Sequence, residues 1–200
     1  MKIGLTGSIA CGKSTVSGYL RSLGYPVVDA DAISRALTAP GGAALPAVRS
    51  AFGDSFFSAD GALDRRALGR HVFDHPDALA RLNSVLHPMI LREIAAQLSA
   101  LEAAHSTVFG DVPLLFECGM QPQFDRIWVV SASRQTQLLR LAERDGLTGD
   151  EAAARIDAQM PLEEKRRLAD AVISTEGTIE QTQAQVRRLL DAIRVQRRQP

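Results

Sequence analysis

The chain has 200 residues, 46% of them hydrophobic, and its 23 Lys+Arg are matched by 23 Asp+Glu. That is enough apolar material for one or two packed domains, and the zero formal charge excludes a global positive field that would draw the chain onto nucleic acid or an anionic membrane. No run approaches the ~18 apolar residues of a membrane span, the N-terminus lacks the apolar core of a signal peptide, and Cys11 and Cys118 have no metal-ligand spacing. The expectation is a reducing, cytoplasmic setting.

In chain order, a short apolar strand at residues 2–6 runs into Gly7-Ser8-Ile9-Ala10-Cys11-Gly12-Lys13-Ser14, with a helical pattern over 15–23 behind it. A second strand at 26–29 ends in Asp29-Ala30-Asp31. The following connection, 32–105, is too long for a simple crossover. It holds helical candidates behind Asp64 as an N-cap, over 76–86, and over 88–104, where Ile90, Ile94, Leu98 and Leu101 recur at helical spacing. Strands follow at 106–112, 126–130 and 171–174, with a helix over 135–145 after the fourth. A second excursion, 147–168, opens a helix at Gly149-Asp150, is broken by Pro161, and carries Arg155, Lys165, Arg166 and Arg167. It reads as a basic lid or as an ordinary solvated face. The last helix aligns Ile179, Val186, Leu189, Leu190 and Ile193, and residues 196–200 read as a frayed end. Five near-continuous apolar strands alternating with helices predict an α/β fold, a five-stranded parallel sheet covered on both faces.

The spacing Gly7-x4-Gly12-Lys13-Ser14, between a strand and a helix, is that of a P-loop. Glycines let successive backbone N–H groups turn toward phosphate oxygens, and the helix N-terminus favours the same anion. Residues Gly7, Ser8, Ile9, Ala10, Cys11, Gly12, Lys13, Ser14 and Thr15 are therefore the candidate nucleotide contacts, with Lys13 toward the outer phosphates and the Ser14 hydroxyl toward Mg2+. Cys11 is a reactive thiolate if its sulfur is exposed and a small tolerated side chain if it is not. Phosphoryl transfer to an alcohol needs a carboxylate near the attacking hydroxyl, and Asp29 and Asp31 leave a strand at the sheet edge where such folds bind ligands. Asp111 stands at the end of the third strand, where a carboxylate serves the metal's water shell or caps a loop. Arg140 and Arg144 share a helix face, and an arginine there suits charge spreading over a transferring phosphoryl group. His87 has no partner at coordinating spacing and is not a metal ligand on this reading.

Taken in order, these residues resemble the dephospho-CoA kinase family from Ile3 to about Gly177. The resemblance is carried by Gly4-Leu5-Thr6-Gly7 and the P-loop, Val28-Asp29-Ala30-Asp31 with Arg35, Phe52-Gly53 and Leu63-Asp64-Arg65-Arg66-Ala67-Leu68. It continues through Leu82-Asn83, Leu86-His87-Pro88, Val112-Pro113-Leu114-Leu115-Phe116-Glu117, Gln137-Leu138 with Arg140, Arg144-Asp145, Gln159, Lys165, and Ala169-Asp170 before Val172-Ile173. It implies a P-loop kinase core spanning 1–200, with 32–105 as a helical CoA-binding insertion and 147–168 as a lid. The implied activity is ATP- and Mg2+-dependent phosphorylation of the ribose 3′-hydroxyl of dephospho-CoA, the last step of coenzyme A biosynthesis. On the same grounds Asp31, Lys13 and Arg140 are the catalytic candidates. Asp29, Arg65, His87, Pro113, Leu114 and Leu115 are candidates for holding dephospho-CoA, in a monomer or weak homo-oligomer. The chain departs from the family's usual Gly, Gly and Ser at Ser8, Ala10 and Cys11. It also carries Ser174-Thr175-Glu176-Gly177 where the family places Asn before the closing Gly, so adenine contacts from that loop do not carry over.

Two other readings share these features. Another P-loop kinase for a nucleoside, nucleotide or small metabolite would also suit Asp31 and the long first insertion. A regulatory NTPase is the reading from a different class, although neither an N-K-x-D guanine-reading segment nor a D-x-x-G after the third strand is present.

Overall fold

The structure, a computed structural model, describes residues 1–196. Residues 197–200 of the expected frayed end lie outside the described residues. The elements run β1 (Lys2–Gly7), α1 (Lys13–Ser22), β2 (Val27–Asp29), α2 (Ala30–Leu37), α3 (Leu45–Phe52), α4 (Arg65–Asp74) and α5 (Pro76–Ala104). After these come β3 (Val108–Asp111), β4 (Arg126–Ser131), α6 (Arg134–Asp145), α7 (Gly149–Asp157), α8 (Leu162–Arg167), β5 (Ala171–Ser174) and α9 (Ile179–Gln196). The chain divides into two compact units, residues 1–28 with 100–200 and residues 29–99.

The first unit is built on the predicted five-stranded parallel sheet, in the order β2-β3-β1-β4-β5. β1 is central, pairing with β3 and β4, so the loop that leaves it is flanked by the ends of both neighbours. Ile3 and Leu5 from β1, Phe109 from β3, and Trp128 and Val130 from β4 pack with Val16 and Leu20 of α1 and with Val186, Leu190 and Ile193 of α9. Strands buried this way have no solvent face, which is why they read as apolar runs rather than alternating ones. β3 is shorter than the predicted 106–112. In α9 the expected apolar face holds at Val186, Leu190 and Ile193, but Ile179 is exposed and Thr182 takes the buried position one turn on. α7 opens with a capping box in which the Thr148 hydroxyl accepts from Glu151 N–H and Glu151 reaches back to Thr148 N–H.

The second unit is helical. Ala44, Val48, Leu68, Val72 and Ala78 form its core, with Leu82, Val85, Leu86 and Met89 packed against them. Asp64 caps α4 as its sequence position predicts, accepting from the N–H groups of Arg66 and Ala67 at 3.0 and 2.9 Å. The expected break at Pro88 is absent, since α5 runs through it as one helix. A proline inside a helix costs about 3 kcal/mol or more. Here the apolar residues on both sides of it, Leu86 and Met89, join one cluster, and a break would pull that cluster apart.

Candidate active site

The residues between β1 and α1 form a loop whose shape is dictated from both sides. A Cβ on Gly7 would stand 2.5 Å from both the Val130 carbonyl oxygen and the Cys11 sulfur, so only glycine fits. Gly12 is left-handed at φ 81°, and Ala10 is also left-handed at φ 58°. For an alanine that conformation costs about 1–2 kcal/mol, so surrounding contacts must hold it.

Those contacts act on three consecutive carbonyls. Gln137 Nε2 donates to Ile9 O at 2.6 Å, Arg140 Nη1 to Ala10 O at 3.2 Å, and the Thr175 hydroxyl to Cys11 O at 2.8 Å. Arg140 also donates to the Thr175 hydroxyl at 3.0 Å and the Thr175 carbonyl at 2.8 Å, locking α6 to the segment after β5. With its carbonyls turned to α6 and β5, the loop presents the N–H groups at the start of α1 to the other side. Thr15 N–H donates to Gly12 O at 3.0 Å, and the N–H groups of Lys13 and Ser14 precede the regular helical ladder. A cavity of about 490 Å³ opens there, lined by Gly12, Ser14, Thr15, Arg140 and Thr175 among others. Oriented N–H groups and a helix N-terminus facing a cavity are what a polyphosphate needs, and Lys13 is the first residue of the same helix.

Lys13 is ion-paired with Asp111 at the end of β3, and both side chains are largely buried. The pair puts the Asp111 carboxylate beside the loop. The Ser14 hydroxyl is exposed at the first turn of α1. Two loop side chains and the cysteine are packed against the protein. Ile9 and Ala10 pack with Leu138, Leu141 and Ile156. Cys11 is 1% exposed, and burial pushes its thiol above the ordinary range despite the Lys13 charge nearby. The tolerated-side-chain reading therefore holds and the exposed-thiolate reading does not. Alkylation of native Cys11 will be orders of magnitude slower than in denatured protein and insensitive to Mg-ATP; fast labelling that Mg-ATP suppresses would reverse this assignment.

Glu176, the neighbour of Thr175, turns the other way. Its carboxylate accepts from Ser133 N–H at 2.5 Å and from the Thr136 hydroxyl at 2.9 Å, satisfying the N-terminus of α6. The Ser133 backbone hydrogen bond, first, and the Thr136 hydroxyl hold its carboxyl below the usual range. Thr175 thus braces the loop through Cys11 O, while Glu176 caps α6.

The apolar loop after β3 is mostly core. Val112, Leu115 and Phe116 are buried, and Leu115 lies over Gly4, leaving no surface for a ligand. Of the three residues expected to wall an acceptor site, Pro113 is half-buried and Leu114 is 36% exposed. Pro113 O accepts from the Thr6 hydroxyl at 3.0 Å and from Lys165 Nζ at 3.4 Å. Lys165, expected in a basic lid or on an ordinary solvated face, is fully buried and paired with Glu117 at 2.7 Å. Glu117 also accepts from Met160 N–H at 3.1 Å, so α8 and the link before it are fastened to this loop.

Asp29, Asp31, Arg65 and His87 lie in the helical unit. Asp29 caps α2, accepting from Ala32 N–H at 2.9 Å. Asp31 is exposed in the first turn of the same helix, Arg65 donates to Arg35 O, and His87 is half-buried within α5. Gln137, Gln159 and Thr175 were not among the site residues expected from the motif. They lie far from it in the chain, and the sequence marks Gln137 and Gln159 only through the family resemblance. No helix among the described residues is long and apolar enough to cross a membrane, and no group of three or more His, Cys, Asp or Glu is placed to hold a metal ion.

Comparison with known proteins agrees with the loop and the sheet. A protein from Carboxydothermus hydrogenoformans described as dephospho-CoA kinase is 47% identical over 189 residues, 94% of this chain and 92% of that one. A solved Thermus thermophilus protein superimposes with a TM-score of 0.81 at 37% identity, covering 96% of each chain. The dephospho-CoA kinase of Campylobacter jejuni gives 0.73 at 29% identity, covering 96% of this chain and 98% of that one. The family model described as dephospho-CoA kinase matches residues 1–181, from the first strand through the Thr175 brace into α9, and the chain belongs to that family.

Proposed function

We propose that the chain transfers the γ-phosphoryl group of ATP to the ribose 3′-hydroxyl of dephospho-CoA, releasing CoA and ADP. The observation that carries this reading is the loop at Gly7–Thr15, its carbonyls held outward and Lys13 beside Asp111, in a chain of this family. The backbone N–H groups bind the phosphates and Lys13 neutralises charge toward the transferred group. Arg140 lines the same cavity and stabilises the phosphate oxygens as charge spreads over them. Asp31 orients the 3′-hydroxyl and accepts its proton as oxygen bonds to phosphorus and the bond to the β–γ bridging oxygen breaks.

The donors present fit a hard cation: the Ser14 hydroxyl and the Asp111 carboxylate are oxygen ligands, and the lack of a three-residue cage among the described residues suits an ion held mainly through phosphates and water. Mg2+, when bound, neutralises charge on the β- and γ-phosphates. Residues 32–105 form the acceptor-binding insertion, with Asp29, Arg65, His87, Pro113 and Leu114 holding dephospho-CoA and Leu115 supporting them from the core. Residues 147–168 form the lid, and the protein works in the cytoplasm as a monomer or weak homo-oligomer.

The test is an acceptor panel with Mg-ATP: dephospho-CoA, adenosine, AMP and pantetheine derivatives. Transfer to dephospho-CoA alone is the expected result. Preferred transfer to AMP or adenosine would reassign the substrate, and hydrolysis of ATP without any acceptor would favour a regulatory NTPase.

A further inference from the structure

The P-loop motif accounts for Gly7, Gly12, Lys13 and Ser14 but not for what holds the loop's first half. Ile9 is gripped at both ends of its residue. Its N–H donates to Gln159 Oε1 at 2.8 Å and its carbonyl accepts from Gln137 Nε2 at 2.6 Å, while the Ser8 hydroxyl donates to the same Gln159 oxygen at 3.1 Å. Ala10, left-handed at φ 58°, follows directly. Gln159 itself stands in the link between α7 and α8. The next residue, Met160, is tied through its N–H to Glu117, and Glu117 is ion-paired with the buried Lys165. The backbone at Gln159 is thus anchored on both sides, by its own N–H to Ile156 O at 3.2 Å and by Met160 N–H to Glu117, before its side chain meets the loop.

We propose that Gln159 is a positioning residue for the donor phosphates: it holds the Ile9 peptide so that the N–H groups from Gly12 onward stay aimed into the nucleotide cavity. Its side of the loop argues against a competing role as a placeholder for phosphate. Gln159 and Ser8 line a separate cavity of about 620 Å³ beside α6 and α8, whereas Gly12, Ser14 and Thr15 line the nucleotide cavity, whose walls include neither Ser8 nor Gln159. Gln159 therefore braces the loop from the face opposite the ligand. Without its oxygen, a partly buried N–H and the Ser8 hydroxyl lose their acceptor, and Ile9 is left held only at its carbonyl by Gln137, which gives the strain at Ala10 a route to relax.

This inference rests on the nucleotide-binding reading above, and its test separates the two. The protein is compared with Gln159→Leu, which keeps the size of the side chain but not the acceptor, and with Arg134→Ala. The latter removes the two-pronged Arg134–Asp157 ion pair, at 2.6 and 2.8 Å, that ties α6 to α7 without touching the loop. Amide hydrogen exchange at Ile9 and calorimetric binding of Mg-ATP are measured on all three. The expected result for Gln159→Leu is at least about tenfold faster exchange at Ile9 together with about tenfold weaker Mg-ATP binding, and a KM for dephospho-CoA within about twofold of the parent's. Arg134→Ala should change Ile9 exchange and ATP affinity by less than about twofold. Unchanged Ile9 exchange in Gln159→Leu, unchanged Mg-ATP affinity, or an equal loss in Arg134→Ala would overturn the proposal. A parent protein that fails to bind Mg-ATP would instead overturn the nucleotide reading, with Ile9 exchange still reporting whether the brace exists.

Discussion

Replacing Lys13 with Met should abolish useful transfer and destabilise the protein at the same time, and the two losses are separable. Loss of a preorganised charge at the transferring phosphate costs about 10²–10³ in kcat. The stability loss has another origin. Asp111 is 5% exposed, and removing its partner strands a buried carboxylate, a change worth about 3–5 kcal/mol. In the double variant Lys13→Met with Asp111→Asn no charge is stranded, so most of the stability returns while activity stays lost. Denaturant midpoints and single-turnover rates on the two variants check both halves. A single variant as stable as the parent would mean that the pair is not desolvated in solution.

Asp31→Asn should lower transfer to dephospho-CoA by about 10²–10⁴-fold, the range for a positioned general base. Mg-ATP affinity should stay within about twofold, because the carboxylate's proposed work is on the acceptor. Stability offers no alternative explanation for such a loss. Asp31 is exposed in the first turn of α2, where a charge contributes about 0.3–1 kcal/mol through the helix dipole, and Asp29 rather than Asp31 supplies the cap. Steady-state kinetics with a melting curve on the same sample decide it. Turnover within a few fold of the parent's would remove Asp31 from the mechanism.

The frame of the molecule was open to reading because it depends on local signals. Buried parallel strands read as apolar runs, Asp64 announces its cap, and the P-loop spacing is set by the geometry of one turn. What the chain concealed are contacts made at a distance. Gln137 reaches Ile9 across 128 residues and Gln159 across 150, and nothing about a glutamine on a helix or in a link says that it meets a backbone so far away. Lys165 misled for the same reason: its cationic neighbours at Arg166 and Arg167 suggest a solvated face, while its own partner, Glu117, lies 48 positions earlier in the sequence. At Pro88 a valid local rule lost to tertiary packing, since the cluster containing Leu86 and Met89 holds only if the helix continues. Thr175 was visible as a departure from the family, but its hydroxyl's work on Cys11 O emerges only in three dimensions.

The short stretch from Gln159 to Lys165 acts as a ruler. One end must place an oxygen against Ile9, the other must deliver a charge to Glu117, and Met160 pins the interval near its start. Adding or removing a single residue there would leave one of these anchors out of reach. Around Gly146 and Thr148, where the backbone is exposed and the helices on either side carry their own caps, extra residues meet no such gauge. Length variation in this region of the fold should therefore gather before α7 and be absent between α7 and α8.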